Sequence, residues 1–66
     1  MSMPQPELGK YYSLRHRQTG SNPFRGYVQI VDVGFIGGEK IFRTSQNGKN
    51  WYFWEDFKYE YIGDLA

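Results

Sequence analysis

Apolar and polar positions alternate with a period of two along most of this chain. No window holds the i, i+3, i+4, i+7 spacing of an amphipathic helix. Residues 8–16, LGKYYSLRH, predict a first strand, with Tyr12 and Leu14 on one face and Tyr11, Ser13 and Arg15 on the other. Residues 17–26 predict a loop, because Thr19-Gly20-Ser21-Asn22-Pro23 is dense in turn formers. Phe24 is the exception inside it. A loop seldom leaves an aromatic in bare solvent, so Phe24 is expected to fold back as a plug over one end of the core; the alternative is a place on a binding surface.

Residues 27–35, YVQIVDVGF, predict the clearest strand, yet its alternation fails midway. Val28 and Ile30 mark one face, while Tyr27, Val31, Val33 and Phe35 fall on the other. Either both faces are covered, or a bulge between Ile30 and Val33 re-aims the side chains. Gly37-Gly38 predicts a turn, and residues 39–44 return as a third strand with Ile41 or Phe42 facing in, not both; Ile41 is the expected core residue. Asn47-Gly48 predicts a tight type I′ hairpin into Trp51-Tyr52-Phe53. Trp54-Glu55-Asp56-Phe57 is too short and too polar for another strand and predicts one helical turn. Tyr59, Tyr61 and Ile62 then resume an extended pattern. Trp51 and Trp54 are three apart, so one is expected in the core and the other partly exposed.

The resulting order is five strands, a long loop after the first, two tighter hairpins and a helical step before the last. It resembles an SH3-like small β-barrel, the architecture shared by Src-homology-3, Tudor and KOW modules. The resemblance covers about residues 8–64 and rests on Gly9-Lys10-Tyr11, the Tyr27 to Val33 strand, Asn47-Gly48 and the Trp54 to Phe57 step. It implies an all-β, five-stranded SH3-like barrel over residues 8–66, preceded by a flexible arm over residues 1–7, where Pro4 and Pro6 favour extended backbone. The chain departs from peptide-binding Src-homology-3 domains in its Arg-rich first loop and its lack of an Ala-Leu-Tyr-Asp-Tyr opening. Proline-ligand binding is therefore not implied. Size and composition also resemble small proteins of bacteriophages and prophages.

Composition sharpens the question of stability. A chain of 66 residues is near the lower limit for folding unaided. It has no cysteine, so no disulfide or thiolate metal site staples it. Aromatic residues make up 20% and are concentrated in residues 51–62, WYFWEDFKYEYI, which must supply much of the core. Apolar runs are too short to span a membrane and residues 1–10 lack a signal-peptide pattern, so the expected location is cytoplasmic.

The chemistry points to binding and away from catalysis. His16 is the only histidine and lies between Arg15 and Arg17, which suits a strand-end residue better than a catalytic base. No metal-ligand spacing and no phosphate-binding glycine loop occur, so no metal and no cofactor are expected. Glu55 and Asp56 are expected to cap or solvate the helical step and not to act as an acid–base pair. Residues 1–25 carry four basic side chains against one acidic, and residues 26–66 carry four against six. Arg15, His16, Arg17 and Arg25, with Phe24 and Tyr27, form a basic-aromatic set suited to phosphate contact and base stacking. An overall pI near 8.0 is low for a polyanion binder. The alternative is a protein partner met through surplus aromatics such as Trp54 and Tyr59, or through a sheet edge that could also take a second copy of the chain.

Overall fold

One long strand crosses the whole molecule and belongs to both halves of it. A computed structural model describes residues 5–65 and contains five strands: β1 (Tyr11–His16), β2 (Val28–Ile36), β3 (Glu39–Thr44), β4 (Tyr52–Phe53) and β5 (Phe57–Gly63). A single 3-10 turn, Trp54–Asp56, separates the last two. All pairings are antiparallel and the strand order is β4-β3-β2-β1-β5. The first part of β2 pairs with β1, through Tyr12↔Val28 and Tyr11↔Gln29, and the remainder pairs with β3. β4 and β5 are the two edges and are not paired with each other. The sheet is therefore curled but not closed into a barrel.

The break in the β2 alternation is a bulge. Ile30 pairs with Thr44 and Asp32 with Arg43, so Val31 is an extra residue with no partner across the ladder. The insertion returns Val33 to the inner side of the sheet, where it packs against the core that Val28 and Ile30 already enter. Val31 itself is exposed. One residue too many is how a single strand serves two differently oriented halves.

Turn chemistry differs from expectation at one place. Gly37 and Gly38 have φ of 57° and 82°, and Ile36 pairs with Glu39 around them, so this two-residue hairpin has positive φ at both central positions, as type I′ requires. Asn47-Gly48 does not. Neither residue has positive φ, and seven residues, 45–51, separate β3 from β4. Asn47 instead braces a wider loop: its backbone N–H donates to Thr44 Oγ1 (3.1 Å) and its Nδ2 donates to the Tyr52 hydroxyl (2.9 Å). The side chain satisfies locally what a tight turn would have satisfied through the ladder.

The core joins Tyr12 and Leu14 of β1, Val28 and Ile30 of β2, Phe42 of β3, Trp54, Phe57 and the loop residue Phe24. Phe42 is 0% exposed and meets the rings of Tyr52, Trp54 and Phe57 at 5.4–5.6 Å. Ile41 is not the core residue of β3. It pairs with Gly34 on the outer face, whereas Phe42 lies opposite the inward Val33 and fills far more space there. Thr44, also fully buried, uses its hydroxyl for the Asn47 bond. We expect Thr44→Val to lower stability by about 1–3 kcal/mol despite its matching shape, because it strands that N–H. Urea unfolding would read the difference.

The amino-terminal segment is docked over its described part. Pro6 is fully buried, Gln5 accepts a hydrogen bond from the Tyr12 hydroxyl (3.3 Å), and the Glu7 N–H donates to the same oxygen (3.3 Å). Pro6 and these two hydrogen bonds place residues 5–7 against β1. The rest of the expected arm, residues 1–4, lies outside the described residues. The 3-10 turn is closed by the Phe57 N–H on the Trp54 carbonyl, with no side-chain cap, so Glu55 and Asp56 do not serve as caps.

Candidate functional site

The basic-aromatic set divides between two faces of the sheet. Arg15 projects from the outer face of β1, opposite Lys58 of β5. Tyr27 is exposed just before β2, edge-on to the ring of Tyr11 at 5.9 Å. Arg17 and Arg25 are exposed in the β1–β2 loop. Their backbones are fixed, Arg17 N–H on the Asp56 carbonyl (2.7 Å) and Arg25 between the two ends of the Gln46 amide (3.1 and 2.6 Å). His16 and Phe24 point the other way. Alternation along β1 sends His16 inward to meet Phe57 edge-on at 5.2 Å. Phe24 is buried against Tyr52 and Phe57, held by an Asx turn in which its N–H donates to Asn22 Oδ1 (3.0 Å). Phe24 is the plug, and its ring is not available to stack on a base.

The other aromatic pair also sits differently from expectation. Trp54 is 3% exposed and lies under Tyr59, the rings stacked at 4.0 Å. Trp54 is the core tryptophan and offers no surface to a partner. Trp51 is the surface one, 45% exposed, with Phe53 beside it at 40%. Strand alternation within Trp51-Tyr52-Phe53 carries this information: Tyr52 packs on the core, so its two neighbours must face outward.

These residues border a groove of about 400 Å³ between the β1–β2 loop, β4 and the 3-10 turn. Trp51, Phe53 and Pro23 form its apolar rim, Tyr52 and Phe57 its floor, and His16, Ser21 and Asp56 its polar groups. The indole of Trp51 is held from outside by the Arg43 guanidinium, 4.6 Å above its ring. Arg43 is fixed in turn by ion pairing to Asp32 and by a bond to the Gly48 carbonyl (3.3 Å). The loop wall is equally tied. Ser21 and Thr19 share a hydroxyl bond of 2.9 Å, and the Ser21 carbonyl accepts from the His16 N–H (2.9 Å). The groove is therefore preformed.

Its polar groups do not form a Ser–His–acid hydrogen-bond relay among the described residues. A serine nucleophile needs a hydrogen bond to its base, and the base one to an orienting acid. Here Ser21 Oγ is bonded to Thr19, and His16 Nδ1 is buried with no partner among the described residues. Among those residues no group of three His, Asp or Glu side chains is placed to hold a metal ion. Among the described residues no helix is long and apolar enough to cross a membrane.

At the far end of β1, Lys10, Tyr61 and Asp64 form an exposed cluster. Lys10 Nζ donates to Asp64 Oδ2 and the Tyr61 hydroxyl to Asp64 Oδ1, both at 2.9 Å. The Lys10 bond, followed by the Tyr61 bond, holds the Asp64 carboxyl below its ordinary 3.8. The same Asp64 bonds hold the Lys10 ammonium above 10.5 and the Tyr61 hydroxyl above 10.0. A lowered carboxyl stabilises the fold above its unfolded value and ceases to as pH falls through the folded one. A raised ammonium stabilises below 10.5 and ceases to as pH rises past its folded value. The cluster thus favours the fold at neutral pH and is lost at both extremes. We expect Lys10→Ala to move the Asp64 titration up toward 3.8, read by carboxyl carbon NMR.

No protein-family model, no curated protein and no solved structure matches this chain, so its site stands on its own geometry.

Proposed function

We propose that this chain is a small non-catalytic binding module that recognises an extended segment of a partner protein in the groove bordered by Trp51, Phe53 and Pro23. The observation that carries this reading is a preformed concavity with two half-exposed aromatic side chains on its rim. Large apolar surface left open in a domain with so little core to spare marks an interaction site. Tryptophan and tyrosine are the usual anchors of such sites. The strand order, the long β1–β2 loop and the 3-10 turn before β5 support reading the fold as an SH3-like barrel left open between its edge strands. In that reading the groove lies between the long loop and the last strands.

A second reading is nucleic-acid binding on the opposite, outer face. It is favoured by Arg15 and Lys58 lying side by side across β1 and β5, with Tyr11 and Tyr27 on the same side of β1. It is weakened by the burial of Phe24 and by Glu60 on that face. One capture experiment distinguishes the two. The immobilised chain is exposed to lysate with and without nuclease, beside a Trp51→Ala/Phe53→Ala variant. A protein retained after nuclease and lost from the variant is the expected result. A gel shift at roughly 10–100 μM protein in low salt, abolished by Arg15→Ala/Arg17→Ala/Arg25→Ala, would instead put nucleic acid first.

A further inference from the structure

The groove is lined by a single carboxylate, that of Asp56, and by no lysine or arginine. Ion pairs among the described residues join Lys10 to Asp64 and Arg43 to Asp32. The Asp56 side chain is in neither pair and has no hydrogen-bond donor among those residues. It is half-buried, next to Phe53 and Phe57. A carboxylate partly withdrawn from water beside apolar rings gains more from a cation than one in open solvent does.

Asp56 is also held in place. The Phe57 N–H closes the 3-10 turn on the Trp54 carbonyl, and the Asp56 carbonyl accepts from the Arg17 N–H at 2.7 Å. Arg17 fixes the backbone here without pairing with the carboxylate. The rim suits a cation as well, because aromatic faces attract positive charge. Trp51 already holds the Arg43 guanidinium on its outer side.

We infer that the partner segment carries a basic side chain, which meets the Asp56 carboxylate while an apolar neighbour enters between Trp51, Phe53 and Pro23. This rests on the groove being the binding site. A purely apolar segment covers the carboxylate and leaves it without water or partner, and an acidic one sets like charges together. A run of basic residues is disfavoured too, since Arg17 and Arg25 are exposed on the loop that forms one wall. A single cation among apolar residues is what fits. The groove, about 400 Å³, is at the small end of ligand sites and takes only a few side chains. In an extended segment side chains two positions apart share a face, so the basic and the apolar residue enter at i and i+2.

Selection of a displayed library of random peptides on the immobilised full chain tests this. Peptides enriched on the parent are expected to carry one lysine or arginine two positions from an apolar residue. The basic preference is expected to vanish on Asp56→Asn and to turn acidic on Asp56→Lys. Asp56→Asn keeps the backbone carbonyl that Arg17 holds, and circular dichroism checks its fold. The most enriched peptide, synthesised and titrated by NMR, should shift the amides of residues 51–57 and bind Asp56→Asn about tenfold more weakly. Enriched peptides that lack a basic residue, or that bind Asp56→Asn as well as the parent, overturn the proposal. If those peptides are still lost from Trp51→Ala/Phe53→Ala, the groove itself stands as the binding site. Peptides indifferent to all of these changes, or no enrichment over the bare support, overturn both.

Discussion

Replacing Trp54 by Ala is expected to unfold most of the population at room temperature, while Trp51→Ala leaves the melting temperature within a few degrees of the parent. Removing a buried tryptophan costs about 3–5 kcal/mol, which is the whole stability that a single core of this size supplies. Trp54 touches Tyr12, Phe42 and Tyr59, and its removal leaves a cavity at their junction. Trp51 rests on Gly34 and under Arg43 at the surface, where its loss exposes little. Thermal denaturation followed by circular dichroism separates the two. Equal melting temperatures would overturn the assignment of the core.

Phe24→Ala is expected to have the second-largest effect, again about 3–5 kcal/mol for a buried phenylalanine, and to carry a functional consequence that Trp54→Ala cannot isolate. Phe24 is the anchor by which the β1–β2 loop is pulled onto Tyr52 and Phe57. Without it the loop wall that contributes Pro23 and Ser21 to the groove loses its seat. Partner binding should fall even where the chain remains folded, for example under stabilising osmolyte. Phe24→Leu, which keeps most of the apolar volume, should retain both. If Phe24→Ala melts like the parent, the loop is not held by this ring.

Element order was legible because each strand here is bounded by its own turn formers. The inward faces of β1 and the first part of β2 followed from plain alternation. What was not legible depended on contacts between distant residues. Ile41 and Phe42 are both strand-formers, and only the pairing of Phe42 with the inward Val33, itself displaced by the bulge at Val31, decides between them. Asn47-Gly48 has the strongest local preference for a tight turn. It is overridden because Thr44 and Tyr52 give the Asn47 amide better-placed partners. The groove is not legible for a related reason: its rim combines Pro23 with residues nearly thirty positions further on. The outward placement of Trp51 and Phe53 was available from the alternation of three residues, once Tyr52 was known to be inside.

The sheet order has a consequence for how the chain folds. β2 and β3 meet across two glycines, so their ladder closes with almost no loop to order. β1 and β5 meet across most of the molecule: Leu14 pairs with Tyr59, which lies forty-five positions later. Loop-closure entropy makes the first contact early and the second late. The β2–β3 hairpin, with Phe42 already on its inner face, is then the nucleus on which the aromatic residues collect, and the capture of β5 by β1 is the step that completes the fold. In the native state the same asymmetry runs in reverse. Fluctuations release β5 before they touch the hairpin, so slow amide exchange should be concentrated around Ile30, Phe42 and Thr44, and β5 should be the first strand to give up its protons.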